Sequence, residues 1–480
     1  MAITQKQVII INPITTLTKM FGTTLSIPYG PLYLAESLIR KGYTPHIIYT
    51  SNDEALLEID ALVSSETLCF GIATMSGTQL SNALDIAQNL KEKYPHIPLI
   101  WGGVHITALP EQTLNSDLVD LIIWGEGEDT LPLVLDALER NDLNSLAGQP
   151  GIGIKENGKF LIGPNSGYTV LENRIFELPY HLLDMDRHCR KLKIGPKREF
   201  QIWTSRGCPY RCNFCSNSSK AWPNTKMRNH SIAHIVNDVS ILYHKYGADC
   251  ITFADEGFLQ NEERFVQILE AIRQENIFIS YRFSARIDIL LRLKPETWKL
   301  MKQYGVIAIS TAPESGSQRI LDYMGKRITL EQIYKVDELL TKHKFFKAFN
   351  VLVCTPKESR DDLKETLRLI CNLAETSMYC PYPIGTLHKY IPLPGTQLYE
   401  DAIQSGFVPP ERLEDWKYFD FEDMKNTRNI VRPWISDSDF QFVEKATTAI
   451  ELLNDEFTGE KADIARIKEH FKNIRKLIEE

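Results

Sequence analysis

Short β-branched runs alternate with helix-patterned segments through most of this chain, and that rhythm restricts its fold more than any other feature. Residues 8–11, 45–49, 68–72, 98–101 and 118–123 read as strands buried on both faces. Between them, residues 31–41, 78–94 and 129–140 carry apolar side chains at helical spacing. The pattern predicts a doubly wound, Rossmann-like parallel sheet, closed by a hairpin at 152–162 with Asn157-Gly158 at its centre. A second series follows, with strands at 200–204, 250–254, 280–283, 306–311, 348–353 and 386–391. Helices at 232–246, 262–274, 330–343 and 361–375 fall between these strands. Six βα units in this span predict an open, TIM-like (β/α)6 partial barrel. The α/β chain thus divides into a first domain at 1–163, a turn-rich linker at 164–196, a second domain at 197–409, and a mostly helical C-terminal region at 410–480.

A length of 480 residues exceeds what one ordinary core organises, in keeping with this division. The net charge of -8 argues against a nucleic-acid partner, which calls for a basic surface. No run of about 18 apolar residues predicts a spanning helix, and Met1–Lys6 is too short and polar for a signal peptide. Nine cysteines without a secretory signal predict thiols kept reduced in a cytoplasm. Six of them (Cys69, Cys189, Cys250, Cys354, Cys371 and Cys380) are scattered and read as small buried hydrophobes.

The other three are crowded into Ser205-Arg206-Gly207-Cys208-Pro209-Tyr210-Arg211-Cys212-Asn213-Phe214-Cys215, directly after the first strand of the second series. Three thiolates within eight residues wrap one metal centre, and thiolates suit zinc or iron–sulfur. A structural zinc wants four ligands, and no nearby Cys or suitably spaced His completes the set. A cluster with three protein thiolates leaves one iron open for a small molecule.

The CxxxCxxC spacing, with an aromatic residue before the last cysteine, resembles the signature of the radical S-adenosylmethionine superfamily. The resemblance implies a 4Fe-4S cluster on Cys208, Cys212 and Cys215, whose open iron chelates S-adenosylmethionine and whose electron releases a 5′-deoxyadenosyl radical. It also places Phe214 beside the adenine. Phe253-Ala254-Asp255-Glu256-Gly257-Phe258 resembles the family's second strand end, so Asp255 and Glu256 either accept from the methionine ammonium or cap the next helix. Arg286 is expected to pair with a cofactor carboxylate or in an ordinary ion pair. Glu314-Ser315-Gly316-Ser317 resembles the stretch that contacts S-adenosylmethionine through its acidic residue, and Pro392–Thr396 resembles the sixth strand end. The fifth departs from the pattern, with Lys357 where relatives usually have Gly.

The first domain resembles the cobalamin-binding domain that precedes many such barrels. Its third strand ends in Ala73-Thr74-Met75-Ser76-Gly77, its fourth in Gly102-Gly103-Val104-His105 and its fifth in Gly125-Glu126-Gly127-Glu128. These are the strand ends where parallel sheets bind ligands. The resemblance implies that Ser76, Gly102 and Gly103 border the nucleotide tail, and that Thr74, Gly77, Val104 and Gly127 also belong to the cobalamin-binding set. It implies that Gly125 and Glu126 meet the corrin amides, and that His105 either bonds the ligand or is satisfied within its loop. The loop at 13–28 holds no histidine, and Asp186-Arg187-His188 lacks the glycine of the cobalt-ligating motif, so no protein histidine is expected on cobalt.

Together these features imply a radical methyltransferase that acts on an unactivated carbon of a small-molecule or lipid-like substrate. It would be fed by an external flavodoxin- or ferredoxin-type electron donor. Trp416, Tyr418 and Phe419 are candidate walls of the cavity, or core. The rivals are cyclisation, rearrangement or oxidation with the same cofactors, methylthiolation of transfer RNA, and a non-catalytic carrier or light sensor. The single cysteine of the first domain, Cys69, argues against methylthiolation, which needs further cysteines there. Intact cluster ligands together with Glu314 argue against the carrier.

Overall fold

A computed structural model describes residues 5–15, 25–156, 158–172, 174–192, 195–220, 224–377, 384–419, 430–458 and 463–480. Asn157, Cys380, the start of the chain and most of the 13–28 loop lie outside these described residues.

The first sheet comprises β1 (Gln7–Ile11), β2 (Thr44–Ile48), β3 (Thr67–Ala73), β4 (Leu99–Gly102), β5 (Leu121–Ile123), β6 (Ile152–Glu156) and β7 (Lys159–Ile162), in the order β2-β1-β3-β4-β5-β6-β7. β1 to β5 run parallel, and β6 and β7 add antiparallel at the edge. Side chains of β1 alternate between two cores, with Val8 and Ile10 on one face and Ile9 and Ile11 on the other. Helix Asn52–Leu62 between β2 and β3 was not expected from the sequence. It buries only Ala55 and Ile59, a stripe too thin to show as helical periodicity.

The second domain begins with β8 (Glu199–Ile202), followed by the short antiparallel pair β9 (Ser205–Arg206) and β10 (Arg228–Asn229). Then come β11 (Cys250–Phe253), β12 (Ser280–Ser284), β13 (Val306–Glu314), β14 (Phe346–Val353) and β15 (Gly385–Lys389). The parallel order β8-β11-β12-β13-β14-β15 leaves β8 and β15 unpaired with each other, which is an open half-barrel. Its helices start where local chemistry dictates: Thr329 and Ser359 form capping boxes, and Ser231 and Asn261 accept from the third helical N–H. β13 runs past the expected residue 311 because its register shifts between Thr311 and Glu314.

Two apolar cores join the parts. One merges Val8, Ile10 and Leu32 with Phe200, Ile251 and Phe253 of the barrel, and the connecting segment adds Leu171, Phe176 and Tyr180. The other sets Ile9, Phe70 and Ile72 against Trp416, Phe419 and Val431 of the C-terminal region. Helices Asp437–Thr458 and Ile464–Glu479 pack on each other and on the barrel at β15 and helix Arg360–Glu375.

Candidate functional site

Where β8 ends, the chain turns through Thr204 and Ser205, and Asp255 holds that turn. Asp255 Oδ1 accepts from Thr204 N (2.6 Å) and Ser205 N, and Oδ2 accepts from Thr204 Oγ1 (2.9 Å). Burial, opposed by these hydrogen bonds, pushes its carboxyl up to about 7. Both oxygens face the turn, so the geometry gives Asp255 a positioning part in front of the cysteine loop. Neither Asp255 nor Glu256 caps the following helix, because Asn261 does. Gly207, at φ +90°, is needed: a Cβ there would lie 2.5 Å from Lys226 O.

The loop is then tied on all sides. Cys208 N donates to Asn224 O (3.0 Å), Asn213 Nδ2 to Tyr323 O (2.7 Å), and Leu398 N to Asn213 O (3.0 Å). Ser218 Oγ contacts the carbonyls of Cys212 (2.6 Å) and Cys215 (2.7 Å). Cys208 and Cys212 are buried and Cys215 is half-buried. Burial raises the Cys208 thiol and pushes Cys215 up to about 11, so thiolates here call for a cationic partner such as iron. Among the described residues, no three Cys, His, Asp or Glu groups converge on one point as a single metal ion requires. Three thiols carried on one tethered loop suit a four-iron cluster, whose irons each take their own sulfur.

A chain of charges runs beside the loop. Glu314, at φ +69° where β13 ends, takes a 2.7 Å ion pair from Lys326. Lys326 O accepts from Arg286 Nη2 (2.8 Å), and Arg286 Nη1 lies 3.5 Å from Cys212 Sγ. Ser315 is fully buried, with Oγ 3.2 Å from Thr366 Oγ1, so its side chain faces helix Arg360–Glu375 rather than the mouth. Phe214 packs against the C-terminal apolar core. Glu256 lies open in the cleft, where the surrounding protein raises its pKa and Arg206 and Arg228 oppose the rise.

Facing the loop are the strand ends of the first domain. A cavity of about 490 Å³ is lined from that side by Met75, Ser76, Gly103, Val104, His105 and Gly125, and from the barrel side by Ser216, Asn217, Glu256, Leu393 and Pro394. A second cavity of about 270 Å³ runs on into the sheet, bordered by Gly71, Gly102, Gly103, Gly127, Tyr33 and Trp203. Gly103, Gly125, Glu126, Asn224 and Glu256 line both. At Gly30 and Gly71 an added Cβ would meet nothing within 4 Å, so absent side chains leave the slot open. A wide chamber continuing into a narrow slot fits a corrin with its nucleotide tail threaded into the sheet.

The other expected residues fall around this cleft. Gly103, at φ +104°, has Thr74 backbone 2.7 Å from where its Cβ would stand, and Thr74 O accepts from His105 N. Gly77 N donates to Trp416 O, and Gly127 is packed under Leu34. His105 Nδ1 lies 2.9 Å from Ser76 Oγ, while Nε2 has no hydrogen-bond partner. Burial lowers the His105 pKa to about 4, so the ring is neutral. Glu126 does not point free toward a corrin amide: it pairs with Arg228 (2.7 Å) and Arg206 (3.4 Å) and accepts from Thr169 N. Burial raises its pKa, but the two arginines prevail and hold it below the usual carboxylate range. His188 bonds Ser26 O and stacks on Tyr49. Trp416 is core, with Nε1 on Gln112; Phe419 lines the larger cavity, and Tyr418 is exposed.

Sequence reasoning missed Gly30, Gly71, Arg206 and Arg228. Gly71 had a signal, since a glycine inside a strand marks close approach by a ligand or backbone. Arg206 bridges to Glu128 (2.6 Å) and lies over the Tyr33 ring, and with Glu126 and Arg228 it forms an ion-pair cluster across the domain boundary. Such pairing over about a hundred residues of chain leaves no local trace.

A radical SAM superfamily model matches residues 203–370, and a B12 binding domain model matches residues 24–135. An uncharacterized methyltransferase of Pyrococcus horikoshii is 30% identical over 413 residues, spanning 84% of either protein. The anaerobic magnesium-protoporphyrin IX monomethyl ester cyclase of Rubrivivax gelatinosus is 25% identical over 381 residues, spanning 75% of this chain and 66% of its own. The fold is similar to that of the cobalamin-dependent S-adenosylmethionine radical enzyme OxsB, solved with aqua-cobalamin and S-adenosylmethionine bound. The TM-score is 0.71 at 17% identity, covering 99% of this chain and 71% of that one.

Proposed function

Because the chain belongs to the cobalamin-binding radical S-adenosylmethionine enzymes, we propose that it methylates an unactivated carbon of a small, largely apolar substrate held between its domains. Membership brings a 4Fe-4S cluster, S-adenosylmethionine and cobalamin as cofactors. Bound together, these supply one-electron cleavage of a sulfonium and a transferable methyl group.

The protein's part is to hold, orient and keep dry. Cys208, Cys212 and Cys215 are the proposed cluster ligands, leaving one iron for the amino acid end of S-adenosylmethionine. Glu256, exposed in the cleft, is the carboxylate proposed to receive its ammonium. Glu314, buried and paired with Lys326, and Phe214, packed on an apolar core, are the other proposed contacts of S-adenosylmethionine. Thr74, Ser76, Gly77, Gly102, Gly103, Val104, His105, Gly125 and Gly127 are the proposed corrin and tail contacts. Val104, Met75, Leu393, Pro394 and Phe419 give the chamber apolar walls that exclude water from a reactive radical. A flavodoxin- or ferredoxin-type donor is proposed for the electron. A cluster with free thiols around it suits a reducing cytoplasm; among the described residues no helix is long and apolar enough to cross a membrane.

The observation that carries this reading is the single chamber lined by both the glycine-rich strand ends and the segment just after Cys215. The test is anaerobic reconstitution with both cofactors and a reductant, followed by mass spectrometry of candidate substrates. Methylation predicts release of 5′-deoxyadenosine and a product heavier by one methylene unit. The likeness to the cyclase favours a second reading, ring closure or oxidation with the same cofactors, which predicts loss of hydrogen without added carbon.

A further inference from the structure

We propose that Arg286 sets the reduction potential of the iron–sulfur cluster by holding a fixed positive charge against the sulfur of Cys212. The proposal rests on the reading that the three cysteines carry a four-iron cluster.

Arg286 lies two residues past the end of β12, and its Nη1 lies 3.5 Å from Cys212 Sγ, within reach of an N–H···S hydrogen bond. Three further contacts remove its freedom to swing away. Nε donates to Asp288 Oδ1 at 2.9 Å, Nη2 donates to Lys326 O at 2.8 Å, and the guanidinium lies 3.6 Å from the centre of the Tyr210 ring. The cage is itself braced: Tyr210 OH donates to Asp288 Oδ2 at 2.9 Å, and Arg292 Nη2 reaches Tyr210 OH at 3.0 Å. An ordinary surface ion pair would leave the guanidinium mobile and wet. Here the side chain is 12% exposed and all three of its nitrogens are engaged.

The guanidinium stays protonated at any working pH, so its charge is permanent. Reduction moves one electron from a low-potential donor (a reduced flavin or iron–sulfur protein in the cell, dithionite in the test) onto the cluster. No bond forms or breaks and no proton moves, so the cluster and its thiolates gain one negative charge. A cation beside a ligand sulfur stabilises the more negative state and raises the potential. Asp288, 2.9 Å from the same guanidinium, opposes it and trims the effect.

The test is a potentiometric titration of reconstituted full-length protein, followed by electron paramagnetic resonance without S-adenosylmethionine. Arg286→Met is expected to lower the midpoint. At the wild-type midpoint the ratio of reduced to oxidised cluster should fall about tenfold, which is about 59 mV for a one-electron couple. Asp288→Asn is expected to shift the midpoint the other way, and Arg286→Lys to fall between Met and wild type. Unchanged midpoints in variants with full iron and sulfide content would overturn the proposal. Should Arg286→Met fail to hold a cluster, the upward shift in Asp288→Asn decides alone, and a downward or absent shift there overturns it. A wild-type protein without a four-iron signal would instead remove the premise.

Discussion

The strand ends of the first domain make room by leaving side chains out, whereas the half-barrel mouth a short distance away is filled with ties. At Gly71 and Gly103 the sheet, and at Gly30 the first turn of helix Tyr29–Arg40, present bare backbone to a slot and a chamber. At the cysteine loop, by contrast, Asp255, Ser218 and Asn213 fix the chain through side-chain hydrogen bonds, and Arg286 lies against Cys212 Sγ. The difference teaches what each region has to do. A bulky, preformed ligand is admitted by complementary space, while a cluster assembled on three thiols needs its ligands held at set positions. The first kind of site is sensitive to added bulk and the second to lost ligands.

The sharpest way to break the comparison is Cys212→Ala. It should abolish 5′-deoxyadenosine formation in a reduced assay while cobalamin still binds with its usual visible spectrum. Loss of both would mean that the two regions do not bind their ligands independently. Next comes Gly71→Val. Nothing stands within 4 Å of the added Cβ, and a β-branched residue suits a strand, so the fold should persist. Cobalamin affinity should drop about a hundredfold, about 3 kcal/mol, with cluster iron content unchanged. Unaltered affinity would show that the slot does not hold the nucleotide tail.

The smallest expected effect concerns His105, whose burial lowers its pKa to about 4 in the folded protein. Unfolded chains bind a proton there near pH 6.5, so this residue's contribution is intact above that pH and is lost as pH falls toward 4. Relative to wild type, His105→Gln should therefore gain stability on acidification, by about 1 kcal/mol between pH 7 and 5.5. Thermal unfolding across that range measures it, and a constant difference would show that the ring is not held neutral.

How much of this was legible in the sequence follows from the range of the interactions involved. The strands are short β-branched runs and the long helices repeat at 3.6 residues, so β1 to β8, β11, β12, β14 and β15 fall where the patterns put them to within a few residues. The cysteine loop is a contiguous motif, so its residues and spacing are visible in the sequence alone. Helix Asn52–Leu62 was hidden by its thin apolar face. The part of Asp255 in holding the Thr204–Ser205 turn, the burial of Ser315 against Thr366 and the pairing of Glu126 with Arg206 and Arg228 all join residues 50 or more positions apart. No local pattern announces such partners.

The account's central claim is that the corrin bed and the cysteine loop open onto one chamber, and spin coupling tests it most directly. In reconstituted protein poised with cob(II)alamin and reduced cluster together, the account predicts that cluster reduction broadens the cobalt resonance and speeds its relaxation, and that Cys212→Ala abolishes this. A cobalt signal that keeps its width and relaxation when the cluster is reduced would contradict it.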